Sequence, residues 1–309
     1  MALQNNLSAQ GTGKRKFSVV IQSESIQKLI NNTLGDTKKS QKFVTAISSA
    51  VAVNPQLQEC DGFSIVNAAL LGETLQLSPS PQLGHYYMVP FNDKNKGKVA
   101  TFELGYKGYL QLAIRSGQYK KINVLEIKKG ELINFDPLNE ELEINLIQDE
   151  LEREKAETIG YYAMFELVNG FKKALYWSKE KMMSHADKYS AAFNAKSYND
   201  LMTGKIPDKD KWKYSSFWYK DFDGMAFKTM LRQLISKWGI MSIELQTAFE
   251  GDYTFKDASG NSTYVEEANE PLINPDIEVT QVHEEVTPQA TVDAQSKKEV
   301  VGQESIALL

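Results

Sequence analysis

An α+β domain, an antiparallel sheet with hairpins flanked by helices, is the fold class this 309-residue sequence predicts. Three observations carry it. Apolar residues recur at helical spacing in the first quarter and again over residues 217–238, and the stretch between them drifts toward alternation with period two. Within that stretch, Asn169-Gly170 separates two alternating runs, a strong two-residue hairpin signal.

The elements follow in order. Residues 1–16, ending in "GTGKRK", read as a polar, flexible arm with a basic end, and ordered chain begins at Phe17 in "FSVVI". Ile26, Leu29 and Ile30 mark one helix over residues 23–34, and Phe43, Ile47 and Val51 a second over about 40–53. Asp61 is the expected N-cap of a third, with Phe63, Val66, Ala69 and Leu70 apolar. "SPSPQLG" then reads as a loop, and "HYYMVPF" and "KVATFEL" as strands joined by the lysine-bearing turn "NDKNKG". A helix begins near Gly105, strands are expected at "YKKINVLEI" and "ELEINLI", and the Asn-Gly hairpin joins "TIGYYAMFELV" to "FKKALYW". Helix returns from about Phe217 to Trp238. The predicted division is arm 1–16, a folded body 17–250, and an acidic, disordered tail 251–309 without aromatic residues after Tyr264.

The net charge of −5 hides an asymmetry. Residues 251–309 carry 12 carboxylates against 3 lysines, whereas residues 1–250 carry 32 basic and 28 acidic side chains. A basic body allows a polyanionic partner without requiring one. The single cysteine, Cys60, excludes an intrachain disulfide and a thiolate cluster, and the N-terminus lacks an apolar signal core. The expectation is a soluble protein of a reducing cytoplasm, with no membrane partner.

Catalytic signatures are sparse. No phosphate-binding Gly-rich loop ends in Lys-Ser/Thr, the three histidines are scattered, and no hydrolase-type nucleophile elbow occurs. Glu126-Ile127-Lys128 has the spacing that metal-dependent nucleases use on a strand, but the common reason for such alternation is a solvated strand face. The residues imply no cofactor, with a role for Mg²⁺ left open.

Binding is better signalled. Lys107, Gln111 and Arg115 recur at i, i+4 and i+8 on the helix of "ELGYKGYLQLAIRSG", with Tyr106, Tyr109, Leu110 and Ala113 opposite. Lys107 falls in the first turn, where free N–H groups favour an anion, and Gly105 and Gly108 admit a close neighbour. The competing explanation is a solvated basic face with a glycine serving close packing. Lys228 and Arg232 lie one turn apart on a different face from the Phe227, Leu231, Leu234, Trp238 stripe. Trp212, Tyr214, Phe217, Trp218 and Tyr219 interleave with Lys209, Lys211, Lys213 and Lys220, a mixture that suits single strands or, more blandly, a core. Lys94, Lys96, Lys98, Lys120 and Lys121 complete the basic candidates, and Tyr106 either stacks on a base or packs inward.

Three segments, "NAALLGETLQLSPSPQLGHYYMVPF", "ATFELGYKGYLQLAIRSG" and "FWYKDFDGMAFKTMLRQLISKW", together resemble the RecT family of phage single-strand annealing proteins in order and spacing. The resemblance implies an ATP-independent, non-enzymatic protein that binds single-stranded DNA and the annealed duplex as a homo-oligomeric ring or helical filament. It also implies two protein partners, a phage exonuclease and the host single-strand binding protein, engaged through the C-terminal region. A metal-dependent nuclease using Glu126 and Lys128, and a structural oligomer, are the rival classes.

Overall fold

The computed structural model describes residues 16–93, 96–190, 192–256 and 262–264. Its opening is helical: α1 (Phe17–Val20), α2 (Glu24–Leu34), α3 (Thr37–Ala52), α4 (Pro55–Gln58) and α5 (Gly62–Thr74). Local chemistry sets these boundaries. Gly35, at φ +64°, closes α2, and the Asp36 carboxylate accepts from Lys39 N at 2.8 Å to open α3. Asp61 caps α5 as expected, accepting from Ser64 N at 2.8 Å.

Strands β1 (Tyr86–Asp93) and β2 (Gly97–Leu104) pair antiparallel from Tyr86↔Leu104 to Asp93↔Gly97. Helix α6 (Tyr106–Arg115) follows, then β3 (Tyr119–Lys128), β4 (Leu132–Asp136), β5 (Glu141–Ile144), α7 (Glu150–Lys155), β6 (Thr158–Leu167) and β7 (Lys172–Ser178). The chain continues through α8 (Lys179–Tyr189), α9 (Ala195–Met202), a 3-10 helix (Asp208–Lys213), α10 (Phe217–Lys220), α11 (Phe222–Trp238) and α12 (Ile243–Gly251). Two short strands, β8 (Thr254–Lys256) and β9 (Ser262–Tyr264), close the described chain.

The α+β expectation holds, with antiparallel sheets ordered β1-β2-β8-β9, β3-β6-β7 and β4-β5. The β6–β7 turn sits at Asn169-Gly170 with Gly170 at φ +89°. Strand β4 and helices α7 to α9 were not anticipated, and "ELEINLI" is strand only to Ile144. Helix α11 packs against β6, α6, β3 and β7, and every residue from Lys228 to Ile235 is buried.

One boundary is corrected. The expected tail began at residue 251, yet Asp252 to Phe255 belong to the body. Tyr253 N donates to Phe102 O at 2.9 Å, Thr254 pairs with Phe102 on β2, and Phe255 packs against Val99. The arm 1–15, the tail 265–309 and Lys94 lie outside the described residues.

Candidate nucleic-acid interface

Alternation along β1 turns Tyr86 and Met88 into the core and sets Tyr87, Val89 and Phe91 on the opposite face. The register places Glu103 opposite Tyr87 and Thr101 opposite Val89, so these five line one surface. That surface is the floor of a groove of about 820 Å³. Its sides are the end of α3 with α4, the end of α8 near Tyr189, and the segment Lys213 to Lys220 with Met225. A smaller cleft shares Tyr87, Glu103, Phe217 and Met225 with the groove and continues to Gly105 and Tyr106 at the start of α6.

Aromatic rings dominate the shared wall. Tyr87 and Phe217 lie 5.3 Å apart between centroids, tilted by 42°. Burial, with the Asp221 carboxylate nearby, raises the Tyr87 hydroxyl above its usual pKa, so it remains a neutral donor. Two lysines, Lys213 and Lys220, line the groove on the side of this wall. Of these, Lys213 pairs with Asp210 at 2.8 Å, and Lys220 is exposed with no ion pair among the described residues.

The predicted α6 stripe is exposed as spaced: Lys107, Gln111 and Arg115 all face outward. Arg115 is partly engaged, since its Nη2 donates to Leu75 O at 2.7 Å and holds the last carbonyls of α5. Lys107 makes no ion pair among the described residues. We expect Arg115→Ala to lower stability by about 1 kcal/mol, seen as a lower Tm, while Lys107→Ala leaves Tm unchanged. The two glycines serve packing: a Cβ on Gly105 would overlap Gly84 O, and one on Gly108 would overlap His85 O. Tyr106 is half-buried, edge-on to Phe227 at 5.5 Å, with its other side on the small cleft.

Lys228 and Arg232 are the main departure. Expected on an open face, they are 4% and 5% exposed, because α11 is covered on all sides. Both bind the fully buried Asp252 carboxylate, Lys228 Nζ at 3.3 Å and Arg232 Nη1 at 2.7 Å. Asp252 also accepts from Leu104 N at 2.8 Å and Tyr109 Oη at 3.1 Å. Burial opposes the Lys228 ammonium, but Asp252, with Glu103 behind it, outweighs burial and raises its pKa above the usual lysine value. Arg232 lines neither the groove nor the small cleft, and Lys228 reaches only the inner wall of the small cleft with its ammonium bonded to Asp252.

Among the weaker candidates, Lys98 pairs with Glu59 and Lys120 with Glu166, both at 2.6 Å, while Lys96 and Lys121 are exposed. Trp218 and Tyr219 are core residues stacked around Phe193, and Trp218 lines the groove with Phe217. Tyr87 and Tyr253, which also lines the groove, were missed; the in-out alternation of Tyr86 and Tyr87 was the available signal for the first.

The proposed nuclease pair is engaged elsewhere. Lys128 is buried and donates to Thr158 Oγ1 at 3.0 Å, and Glu126 receives Arg153 Nη1 at 3.3 Å. Arg153 Nε also reaches the buried Glu131 at 2.7 Å, tying α7 to β3. Among the described residues no group of three or more His, Cys, Asp or Glu is arranged to hold a metal ion. No helix among them is long and apolar enough to cross a membrane.

The sequence signature of the RecT family matches residues 39–271, three-quarters of the chain and all of the groove. The chain belongs to the RecT family. A Bacillus subtilis (strain 168) relative, "Uncharacterized protein YqaK", is 38% identical over 245 residues, covering 79% of this chain and 74% of the relative. "Protein RecT" of Escherichia coli (strain K12) is 27% identical over 220 residues, covering 69% and 71%. RecT membership gives the chain a role in single-strand annealing and DNA recombination. The RecT match also runs past Asp252, in keeping with a body that ends beyond residue 251.

Proposed function

We propose that this RecT-family chain holds an extended single strand of DNA along the groove between the β1–β2 face and the Lys213 to Lys220 side, and presents it to a complementary strand without nucleotide hydrolysis. The observation that carries the reading is the Tyr87–Phe217 aromatic wall with Lys213 and Lys220 in the same groove. Every base has a π-face, so rings hold a strand without reading it, while lysines offset phosphate charge. Duplex formation is downhill, so alignment and charge neutralisation are sufficient and no bond-making residue is needed. Lys107, with Gln111 and Arg115, extends the contact from the small cleft along α6. Lys121 and Lys96, whose ammonium lies 5.4 Å from the Phe255 ring centroid, add to it, as do Lys98 and Lys120 beside their carboxylate partners. Assembly into a ring or filament joins successive grooves and holds the new duplex. The acidic C-terminal region engages a phage exonuclease and the host single-strand binding protein in the bacterial cytoplasm.

Fluorescence anisotropy with a labelled oligo-dT tests the groove. Stacking is worth about 1–3 kcal/mol per base, so Tyr87→Ala and Phe217→Ala should each weaken binding roughly tenfold or more. Lys220→Ala and Lys107→Ala should each flatten the log K against log salt slope by about 0.7. Wild-type affinity in both ring variants would exclude the groove as the seat. Complementary oligonucleotides should anneal without ATP, with strand lengths unchanged on a denaturing gel in Mg²⁺; shortened strands would revive the nuclease reading.

A further inference from the structure

The segment from β4 to α7 forms a spur. Its two strands pair with each other and join neither larger sheet. It is nevertheless firmly held, by Arg153 to Glu131 and Glu126, by Lys173 to Glu140, and by Phe135 against Tyr176 at 5.4 Å. Its outer surface is both apolar and acidic. Leu138 at the tip is 87% exposed and Leu151 is 69% exposed. Around them Glu141, Glu143, Glu150 and Glu154 have no ion pair among the described residues, and residues 132–157 hold nine carboxylates against Arg153 and Lys155. Exposed leucines on a segment that also carries unpaired carboxylates ask for a surface that is apolar and cationic.

The same chain carries such a surface. Along α9 and the 3-10 helix, Met202 is 59% and Trp212 73% exposed, and neither lines the groove. Lys196 and Lys209 stand near them in sequence without ion pairs among the described residues, whereas Lys205 and Lys211 are paired with Asp200 at 3.4 Å and Asp208 at 2.7 Å. Among the described residues no hydrogen bond, ion pair or ring contact joins this surface to the spur within one chain.

We propose that the spur of one copy docks on the α9 and 3-10 surface of a second copy. The two patches differ, so the contact is heterologous and propagates from subunit to subunit. It deepens the assembly in the proposed function and rests on it: the 3-10 helix of the receiving surface ends at Lys213, which lines the groove, so each contact sets a spur close to the next groove.

Single-cysteine chemistry tests the contact in the full chain, with the buried Cys60 left in place. Leu138→Cys and Trp212→Cys variants, mixed and oxidised, should give a covalent heterodimer on a non-reducing gel, while each alone should not cross-link. Self-cross-linking of Leu138→Cys, or no cross-link in a mixture that sediments as an oligomer, overturns the proposal. A chain that sediments as a monomer at all concentrations overturns it too; oligo-dT binding measured alongside shows whether the groove reading survives. Glu150→Lys with Glu154→Lys should weaken self-association at least tenfold, and Lys196→Glu with Lys209→Glu in the partner should restore it. Unchanged association in the reversed spur counts equally against the contact.

Discussion

Ending the chain at Glu250 is expected to abolish folding, whereas ending it at residue 272 preserves it. The shorter chain lacks Asp252, the carboxylate to which both Lys228 and Arg232 are bonded and to which Leu104 N and Tyr109 Oη also donate. Removing the partner of a buried ion pair costs about 3–5 kcal/mol, because the charges left behind stay desolvated. Here two cations are left behind, and the Thr254 pairing to β2 is lost with them. A domain's whole stability is about 5–15 kcal/mol. The point variant Asp252→Asn keeps the shape and removes the charge, and should cost about 3 kcal/mol or more by the same argument. Urea titration followed by far-UV circular dichroism measures it. A midpoint equal to wild type would mean that the cluster is neutralised otherwise. Because Lys228 has a pKa held above the usual lysine value, the attraction is fully present at neutral pH and fades only as pH rises through that raised value.

Gly108→Ala carries the second large effect, and its sign is the informative part. Within a helix this change ordinarily stabilises by about 0.5–1 kcal/mol. At residue 108 the added methyl would overlap His85 O, and a backbone carbonyl cannot swing aside as a side chain does. That carbonyl is also fixed from the other side, accepting from Gly105 N at 2.9 Å. Overpacking of this kind costs about 1–3 kcal/mol, occasionally more, so the net expectation is a loss of about 2 kcal/mol. The same urea experiment decides it, and a stabilised Gly108→Ala would mean that the loop before β1 yields. The loss should also displace Lys107 and the floor of the small cleft, lowering DNA affinity beyond what Lys107→Ala alone does.

Local features of the fold were legible and remote ones were not. Asp61 as an N-cap, the Asn169-Gly170 turn and the β1 and β2 runs each depend on residues within a few positions of one another. The exposed stripe of Lys107, Gln111 and Arg115 was legible for the same reason. Lys228 and Arg232 were misplaced because periodicity separates faces only on a helix with one side in water. Helix α11 has no such side over residues 228–235, so polar and apolar residues are buried alike. Their counter-charge lies twenty or more residues on, in a stretch whose composition reads as the start of a tail. Tyr109, joined to the same carboxylate, is 143 residues away. The groove was half-visible: the aromatic run 212–219 contributes Phe217 and Trp218 to its lining, but nothing local distinguishes them from Tyr219, which packs into the core.

The two sides of the groove are held in different ways. The β1–β2 floor is a continuous ladder, and α5 is pinned to it where Asp61 N donates to Lys98 O and Ala100 N donates to Ser64 Oγ. Opposite, Ser215 and Ser216 sit in the connection between the 3-10 helix and α10, where the Ser216 hydroxyl bonds Ala192 O at 3.1 Å. A purine and a pyrimidine differ in width by one ring, and a rigid slot cut for either would discriminate. Under the proposed function, the laddered floor would keep the register of the strand and the wall without a ladder would be the side that accommodates either base, with fidelity left to the pairing of one strand with the other.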